Sequence, residues 1–326
     1  MGEFELLARL RERLPPAGAR VRLGIGDDAA VTLPGGATAT SVDALVEGVH
    51  FRRGQASLAQ IGHKALASAL SDLAAMGAEP GEAYVVLGVP RDLDEDGCIE
   101  LIDGLLALAA ETGTTLAGGD VTRAPALFVA LTVVGHAPRP ELLIGRAGAR
   151  PGEALVLTGE IGGAAAGLLL LERPELGAAL AADTAAGLRS RQIVPRARLG
   201  PGRSLAANGA SAMIDLSDGL GGDARRLAEA SGVQLRIEVA ALPIATGVAE
   251  IAAAAGRDPI ELALSGGEDY ELLVTLPAER LGKASSTLSE TETVLTQIGE
   301  VAPGDGVEIR LPGGPLLETE GFDHLR

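Results

Sequence analysis

Gly24-Ile25-Gly26-Asp27-Asp28 sets two adjacent carboxylates on a glycine hinge, a pairing that suits neither an apolar core nor a decorated surface. The stretch reads as half of a cation site. The other half must come from elsewhere, and Asp43, Asp72, Asp120, Asp215 and Asp218 each sit beside small residues at the edge of an apolar run. How these acids are brought together decides both the fold and the chemistry.

The chain is 326 residues long, more than one domain usually needs, so two domains are expected. Hydrophobic residues make up 47 %, yet no run approaches the roughly 18 apolar residues that cross a bilayer. Glu3 and Glu5 stand where a signal peptide would be basic, and a soluble, cytoplasmic protein is expected. Cys98 is the single cysteine, which excludes a disulfide framework or a zinc knuckle and argues against redox chemistry. With 27 Lys plus Arg against 44 Asp plus Glu the formal charge is −17, so neither nucleic acid nor an anionic membrane is an expected partner. Aromatics at 2 % are too few for a base-stacking platform.

Lysine usage is sharper. Lys64 and Lys283 are the only lysines, and neither lies in a phosphate-binding GxxxxGK[ST] loop or a VAIK-like strand. If nucleotide phosphates are handled here, metal ions must do the neutralising.

Along the chain, residues 3–14 have helical spacing, 29–33 and 37–42 read as short strands, and the second strand ends on Asp43. Ser57 and Gln60 form a capping box for a helix whose C-terminal end carries Asp72. A carboxylate there opposes the helix dipole, so it needs a favourable use elsewhere. A strand at 83–89, a helix at 94–111, a strand at 114–117 running into a Gly118-Gly119-Asp120 turn, and a strand at 127–135 complete an α+β alternation on a mixed sheet. His136 to Gly152 is rich in proline and glycine and reads as the boundary between domains at 1–138 and 149–326. The second part alternates again, with strands at 154–158, 212–216, 233–239, 270–276 and 294–301 and helices at 164–171, 202–208 and 218–229.

Taken singly, most of the acids have ordinary explanations. Asp27-Asp28, Asp43 and Asp120 suit turns, and Asp218 before a helix suits an N-cap. Asp215 is harder to explain this way, because Met213-Ile214-Asp215-Leu216 places an acid within an apolar strand, where an unpaired charge is costly. His50 reads equally as a surface histidine, and Glu268 and Phe322 carry no signal alone. The acids together suit magnesium, which takes about six oxygen ligands and lets phosphates complete its shell. Such ions would bridge a triphosphate and neutralise a transferring phosphoryl group.

The ordered set is more specific than its parts. Gly24 to Asp28, Asp43 through Glu47-Gly48-Val49-His50-Phe51, Leu70 to Ala78, Gly118-Gly119-Asp120, Ile214 to Leu220, Ser265 to Leu272 and Gly321-Phe322-Asp323-His324 together resemble the thiamine-monophosphate kinase family. The resemblance runs from near the start to the last residues. It implies an α/β (α+β type), two-domain fold of the aminoimidazole ribonucleotide synthetase type, whose N-terminal domain binds ATP and metal and dimerises through its sheet. It implies transfer of the γ-phosphate of ATP to thiamine monophosphate, giving thiamine diphosphate and ADP, the last step of thiamine diphosphate synthesis. By position, Asp28, Ser41, Asp43, Asp72, Asp120, Asp215 and Asp218 would be Mg2+ ligands, and Gly119, Asp120, Arg146 and Ser217 would contact ATP. His50, Glu268 and Phe322 would hold thiamine monophosphate, while Asp43, Asp120 and Arg146 would serve the transfer itself.

Val42 departs from the pattern, standing where the family commonly carries threonine. A backbone carbonyl could serve as a ligand there, a hydroxyl could not. Three rival enzymes share the fold: selenophosphate synthetase, aminoimidazole ribonucleotide synthetase and the hydrogenase maturation factor. The lack of cysteine near either terminus argues against the selenium enzyme and the maturation factor. A rival of another class is a silent nucleotide- or thiamine phosphate-binding protein, against which the near-complete acidic set counts.

Overall fold

Alternation along Ala37–Val46 lays down the first long strand, with odd residues turned inward and even ones, Val42 among them, turned out. A computed structural model describes residues 3–16, 18–25, 29–289, 291, 293–311 and 316–317. It divides into one unit of residues 1–73 and 78–140 and a second of 74–77 and 141–326.

The first unit runs α1 (Glu3–Arg13), β1 (Val21–Leu23), β2 (Val31–Thr32), β3 (Ala37–Val46), α2 (Leu58–Ala75), β4 (Glu79–Val89), α3 (Glu95–Thr112), β5 (Thr115–Arg123) and β6 (Phe128–Ala137). Its main sheet has the order β3-β6-β4-β5, antiparallel except for the parallel β4/β5 pair. The capping box is present at the start of α2: Gln60 N donates to Ser57 Oγ at 3.2 Å and Ser57 N to Gln60 Oε1 at 2.9 Å. Asp94 caps α3 by accepting from Gly97 N at 2.9 Å, and Gly113, at φ 73°, ends it in the left-handed region.

Helices α2 and α3 meet backbone to backbone. A Cβ on Gly62 would lie 1.9 Å from the Leu101 carbonyl oxygen, and one on Gly104 would lie 1.9 Å from that of Ala59. The two glycines thus let each helix rest on the other's main chain, and Leu66, Leu70, Leu73, Leu101 and Leu105 close the core around that contact. The opposite face of the sheet carries Val42, 70 % exposed, and Val86, 38 % exposed.

Two local expectations are corrected here. Gly118-Gly119-Asp120 is not a turn but the interior of β5, where Gly119 pairs with Val85 and Asp120 with Val86. Asp43 does not end its strand either; β3 continues to Val46 because its alternation persists, and Asp43 pairs with Leu131. Glycine and aspartate are poor strand formers, but pairing with a neighbouring strand overrides that preference.

The second unit contains β7 (Ala154–Thr158), α4 (Gly163–Glu172), α5 (Ala182–Ile193), α6 (Leu199–Ala207), β8 (Ala212–Asp215), α7 (Leu220–Ser231), β9 (Gln234–Glu238), α8 (Val248–Ala255), α9 (Pro259–Ser265), β10 (Leu272–Leu276), α10 (Leu281–Ser289), β11 (Leu295–Ala302), β12 (Gly306–Arg310) and β13 (Leu316–Leu317). Their seven-stranded sheet has the order β13-β12-β9-β11-β7-β10-β8, with β12/β9 its one parallel pair. Central strands β7 and β10 are buried at every position, as strands covered on both faces must be. Leu155, Leu157, Ile214 and Leu273 pack with Leu220, Ala224 and Leu227 of α7. A separate cluster joins α4, α5, α8 and α9 through Leu170, Leu188, Ile251 and Leu262. Helix α7 begins after Gly219, so Asp218 is not its N-cap.

Exchanging glycine for alanine inside a helix ordinarily stabilises by about 1 kcal/mol. Gly104→Ala is expected to do the reverse and cost about 2 kcal/mol, because the new methyl overlaps a backbone oxygen that cannot rotate away. Urea unfolding measures it, and adding Gly62→Ala should cost less than its own single change, since the helices have already parted.

Candidate active site

Two groups of polar side chains carry the candidate residues, one in each unit. In the first, Ser41 and Asp43 lie two apart on β3 and so share a face, and Ser41 Oγ donates to Asp72 Oδ2 from α2. Asp43 Oδ1 accepts the Ala44 amide at 2.7 Å. Asp120 is set apart from them. Asp43 shares a row with Leu131, Val85 and Gly119, so β3 and β5 stand three strand spacings apart, about 14 Å, and Asp120 falls in the next row on the other face. Among the described residues no three histidine, cysteine or acidic side chains gather closely enough to hold one ion.

The donors that do meet are oxygens, a hydroxyl and carboxylates, the chemistry that magnesium accepts. A small protein contribution fits an ion that takes one or two carboxylates and leaves its remaining positions to phosphate oxygens and water. Asp27, Asp28 and Phe322 lie outside the described residues.

His50 sits in a tight turn after β3, where its amide donates to the Val46 carbonyl at 2.9 Å. Its ring Nδ1 accepts the Val46 amide at 3.1 Å. That bond requires an unprotonated Nδ1, which places the neutral ring's proton on Nε2. Lys64, buried on α2, holds the same turn by donating Nζ to the His50 carbonyl at 3.2 Å. One of the two lysines is therefore structural.

In the second unit β8 and β10 are antiparallel neighbours, with Asp215 opposite Leu272. The segment leaving β8 and the segment entering β10 must therefore run side by side. Glu268 N donates to the Ser217 carbonyl at 2.9 Å, Tyr270 N to that of Leu216 at 2.9 Å, and Leu216 N to that of Glu271 at 2.8 Å. Asp215 is 4 % exposed at the end of β8. Asp218 pairs with Arg226 at 2.5 Å, and Arg226 also reaches Asp223 at 2.6 Å. Asp223 in turn accepts the Asp218 amide at 3.0 Å. Burial pushes Asp223 up to about 6, although the Asp218 amide and Arg226 pull against it.

The loop itself is strained. Among the described residues, Glu268 at φ 66° and Tyr270 at φ 51° are the non-glycine residues in the left-handed region. Such conformations persist only where the surroundings over-determine them. Here they do: Asp269 accepts the amides of Gly162 at 2.7 Å and Ala164 at 3.0 Å, at the start of α4. Glu271, 1 % exposed, accepts from Thr158 Oγ1 at 2.7 Å and from Arg198 Nε at 2.7 Å, and Arg198 Nη2 reaches its other oxygen. Arg146, exposed, rises from a segment fixed by its neighbours: Ser231 Oγ donates to the Arg146 carbonyl at 2.9 Å and accepts the amides of Gly148 and Ala149.

Residues 26–137 match the family model for the AIR synthase related protein N-terminal domain, and residues 150–312 match that for its C-terminal domain. The curated thiamine-monophosphate kinase of Escherichia coli (strain K12) is 38 % identical over 329 residues, covering 99 % of this chain and 98 % of that protein. The chain belongs to the thiamine-monophosphate kinase family. A crystal structure of thiamine-monophosphate kinase from Stenotrophomonas maltophilia K279a is similar in fold, with a TM-score of 0.81 and 35 % identity over 94 % of each chain. AaThiL complexed with AMPPCP and TMP gives a TM-score of 0.79 and 30 % identity, covering 98 % of this chain and 95 % of that one. Hydrogenase maturation protein HypE in complex with ATP has a TM-score of 0.78 but 22 % identity, a likeness of fold alone.

Within this thiamine-monophosphate kinase family member, sequence reasoning named Asp218 and Glu268 but missed the groups that hold them. Asp223 and Arg226 stand five and eight residues after Asp218, as an i,i+3 pair on α7, and Gln192 donates to Glu268 Oε2 from α5. An acid and a cation at that spacing just beyond a candidate ligand would have been the available signal for the first pair. Nothing local in the sequence points to Gln192.

Burial raises Asp269 from 3.8 to about 7, against the two amides that lower it. A carboxyl raised in the folded state binds its proton more tightly there, so its stabilising contribution is full at low pH and is lost as pH rises toward 7. Asp269→Asn should therefore remove a fall in Tm between about pH 4 and pH 7, seen as a difference from the unaltered protein in calorimetric scans across that window.

Proposed function

We propose that this chain is a magnesium-dependent thiamine-monophosphate kinase, transferring the γ-phosphate of ATP to thiamine monophosphate to give thiamine diphosphate and ADP. The observation that carries this reading is family membership across nearly the whole chain, including a relative solved with AMPPCP and TMP. A phosphate oxygen of thiamine monophosphate attacks the γ-phosphorus in line, and the bond to the β–γ bridging oxygen breaks to release ADP. That nucleophile is already ionised at neutral pH, so no strong general base is needed.

The chain's residues bind and orient. Asp28, Ser41, Asp43, Asp72, Asp215 and Asp218 would hold magnesium, which when bound screens phosphate charge, and Asp120, on the other face of the sheet from Asp43, would hold an ion apart from theirs. Arg146, exposed on a fixed backbone, offers a planar guanidinium to the triphosphate, with Gly119, Asp120 and Ser217 beside the nucleotide. His50, its ring oriented by the Val46 amide, contacts thiamine monophosphate. Glu268 and Phe322 hold the thiamine moiety, the aromatic ring stacking on a flat heterocycle. Neither lysine takes a phosphate-binding role: Lys64 is buried against the His50 turn, and Lys283 is exposed on α10.

The active species is a cytoplasmic homodimer joined through the open face of the first unit's sheet. Exposed Val42 and Val86 lie on that face, and a partner would remove them from water. No helix among the described residues is long and apolar enough to cross a membrane.

Incubating the purified protein with Mg-ATP and thiamine monophosphate should yield thiamine diphosphate and ADP by chromatography; absence of both products across a range of salts would overturn the reading. Asp43→Asn is expected to lower kcat by about a hundredfold or more with Tm nearly unchanged, whereas a large loss of Tm would mark the residue as structural. Val42→Glu should convert the dimer to monomer in sedimentation velocity, and a dimer that survives it would place the interface elsewhere.

A further inference from the structure

Gln192 is buried in the last turn of α5, and its side-chain amide donates to Glu268 Oε2. We propose that Gln192 is a positioning residue for thiamine monophosphate that acts by fixing the direction of the Glu268 carboxylate. The proposal rests on the reading that Glu268 touches that substrate.

Three features lead there. The backbone of Glu268 is already immobile, held at φ 66° by the bonds of residues 268 and 270 to Ser217 and Leu216. The side chain has three rotatable bonds, and ordering these before the ligand arrives removes a cost from binding. Gln192 contributes to that order by donating to the carboxylate.

The kind of donor matters as much as its place. A neutral amide orients a carboxylate without cancelling its charge, which a guanidinium would do. Arg191 is adjacent in sequence, yet it turns to Glu160, meeting the carbonyl at 3.3 Å and the carboxylate at 2.5 Å. The Gln192 amide thus aims the carboxylate without neutralising it, toward the cationic thiazolium ring of thiamine.

Gln192 is itself fixed from behind. Helix α4 lies so close to α5 that a Cβ on Gly167 would stand 2.1 Å from the Leu188 carbonyl oxygen and 3.1 Å from Gln192 Cβ. The start of α4 is held by Asp269, the residue after Glu268. Loop, α4 and α5 therefore form a closed circuit: Asp269 to the α4 amides, α4 to α5, and Gln192 back to Glu268.

Steady-state kinetics on the full-length enzyme test this. Gln192→Leu, similar in volume but without a donor, should raise KM for thiamine monophosphate about tenfold and leave KM for ATP within twofold. Gln192→Glu should raise it at least as much, because an acceptor then faces an acceptor. In the Glu268→Ala background Gln192→Leu should add nothing. An unchanged KM for thiamine monophosphate in Gln192→Leu, or an equal rise for both substrates together with a fall in Tm, overturns the proposal. Glu268→Gln separates the two layers: if it leaves KM for thiamine monophosphate unchanged, the reading of Glu268 fails and the proposal with it. If it raises KM while Gln192→Leu does not, the Gln192 assignment alone fails. Should Gln192→Leu not fold, Gln192→Asn, one methylene short of reaching Glu268, carries the same expectations.

Discussion

The buried carboxylate of Glu271 is the constraint on which the second unit's chemistry depends. A charge that is 1 % exposed is tolerable only with its partners in place, and Arg198 and Thr158 supply them from α6 and β7. Because Glu271 immediately precedes β10, satisfying it fixes the entry of that strand, and the ladder to β8 carries the constraint across to Asp215. The acids around Ser217 and the loop around Glu268 are then adjacent by construction. Left-handed backbone at Glu268 and Tyr270 is sustained because both ends of the loop are tied down.

The first unit solves its problem differently. There the two glycines Gly62 and Gly104 bring α2 and α3 into main-chain contact, and Asp72 rides on the face of α2 that reaches Ser41. An acid near the end of a helix opposes the helix dipole, and here it accepts a hydrogen bond from the Ser41 hydroxyl. His50 shows the same economy, since one backbone amide decides which of its nitrogens carries the proton.

Periodicity made the skeleton legible. Helices α1, α2 and α3 and strands β4, β6, β7, β8 and β10 lie where hydrophobic spacing puts them, and the capping box at Ser57 marks its helix from sequence alone. Less legible were α5 and the alanine-rich α8, and α9, which is only seven residues long. Gly118-Gly119-Asp120 misled because glycine and aspartate are turn residues by local preference, while a neighbouring strand recruits them into a ladder. The candidate site divides the same way. The acids announce themselves by type, but their holders come from other elements: Arg198 and Gln192 leave no local signature, and Arg226 shows only as half of an i,i+3 pair with Asp223.

The strand order of the second unit bears on how the chain is made. β7 is its first strand to leave the ribosome, yet its two neighbours in the sheet are β10 and β11. The Thr158–Glu271 bond spans 113 residues of sequence. Strands β3 to β6, by contrast, pair only among themselves and can close before that synthesis is done. A nascent β7, apolar on both faces and without either partner, is an unpaired edge for the whole interval, so the native pairing of this unit has to wait for sequence made more than a hundred residues later.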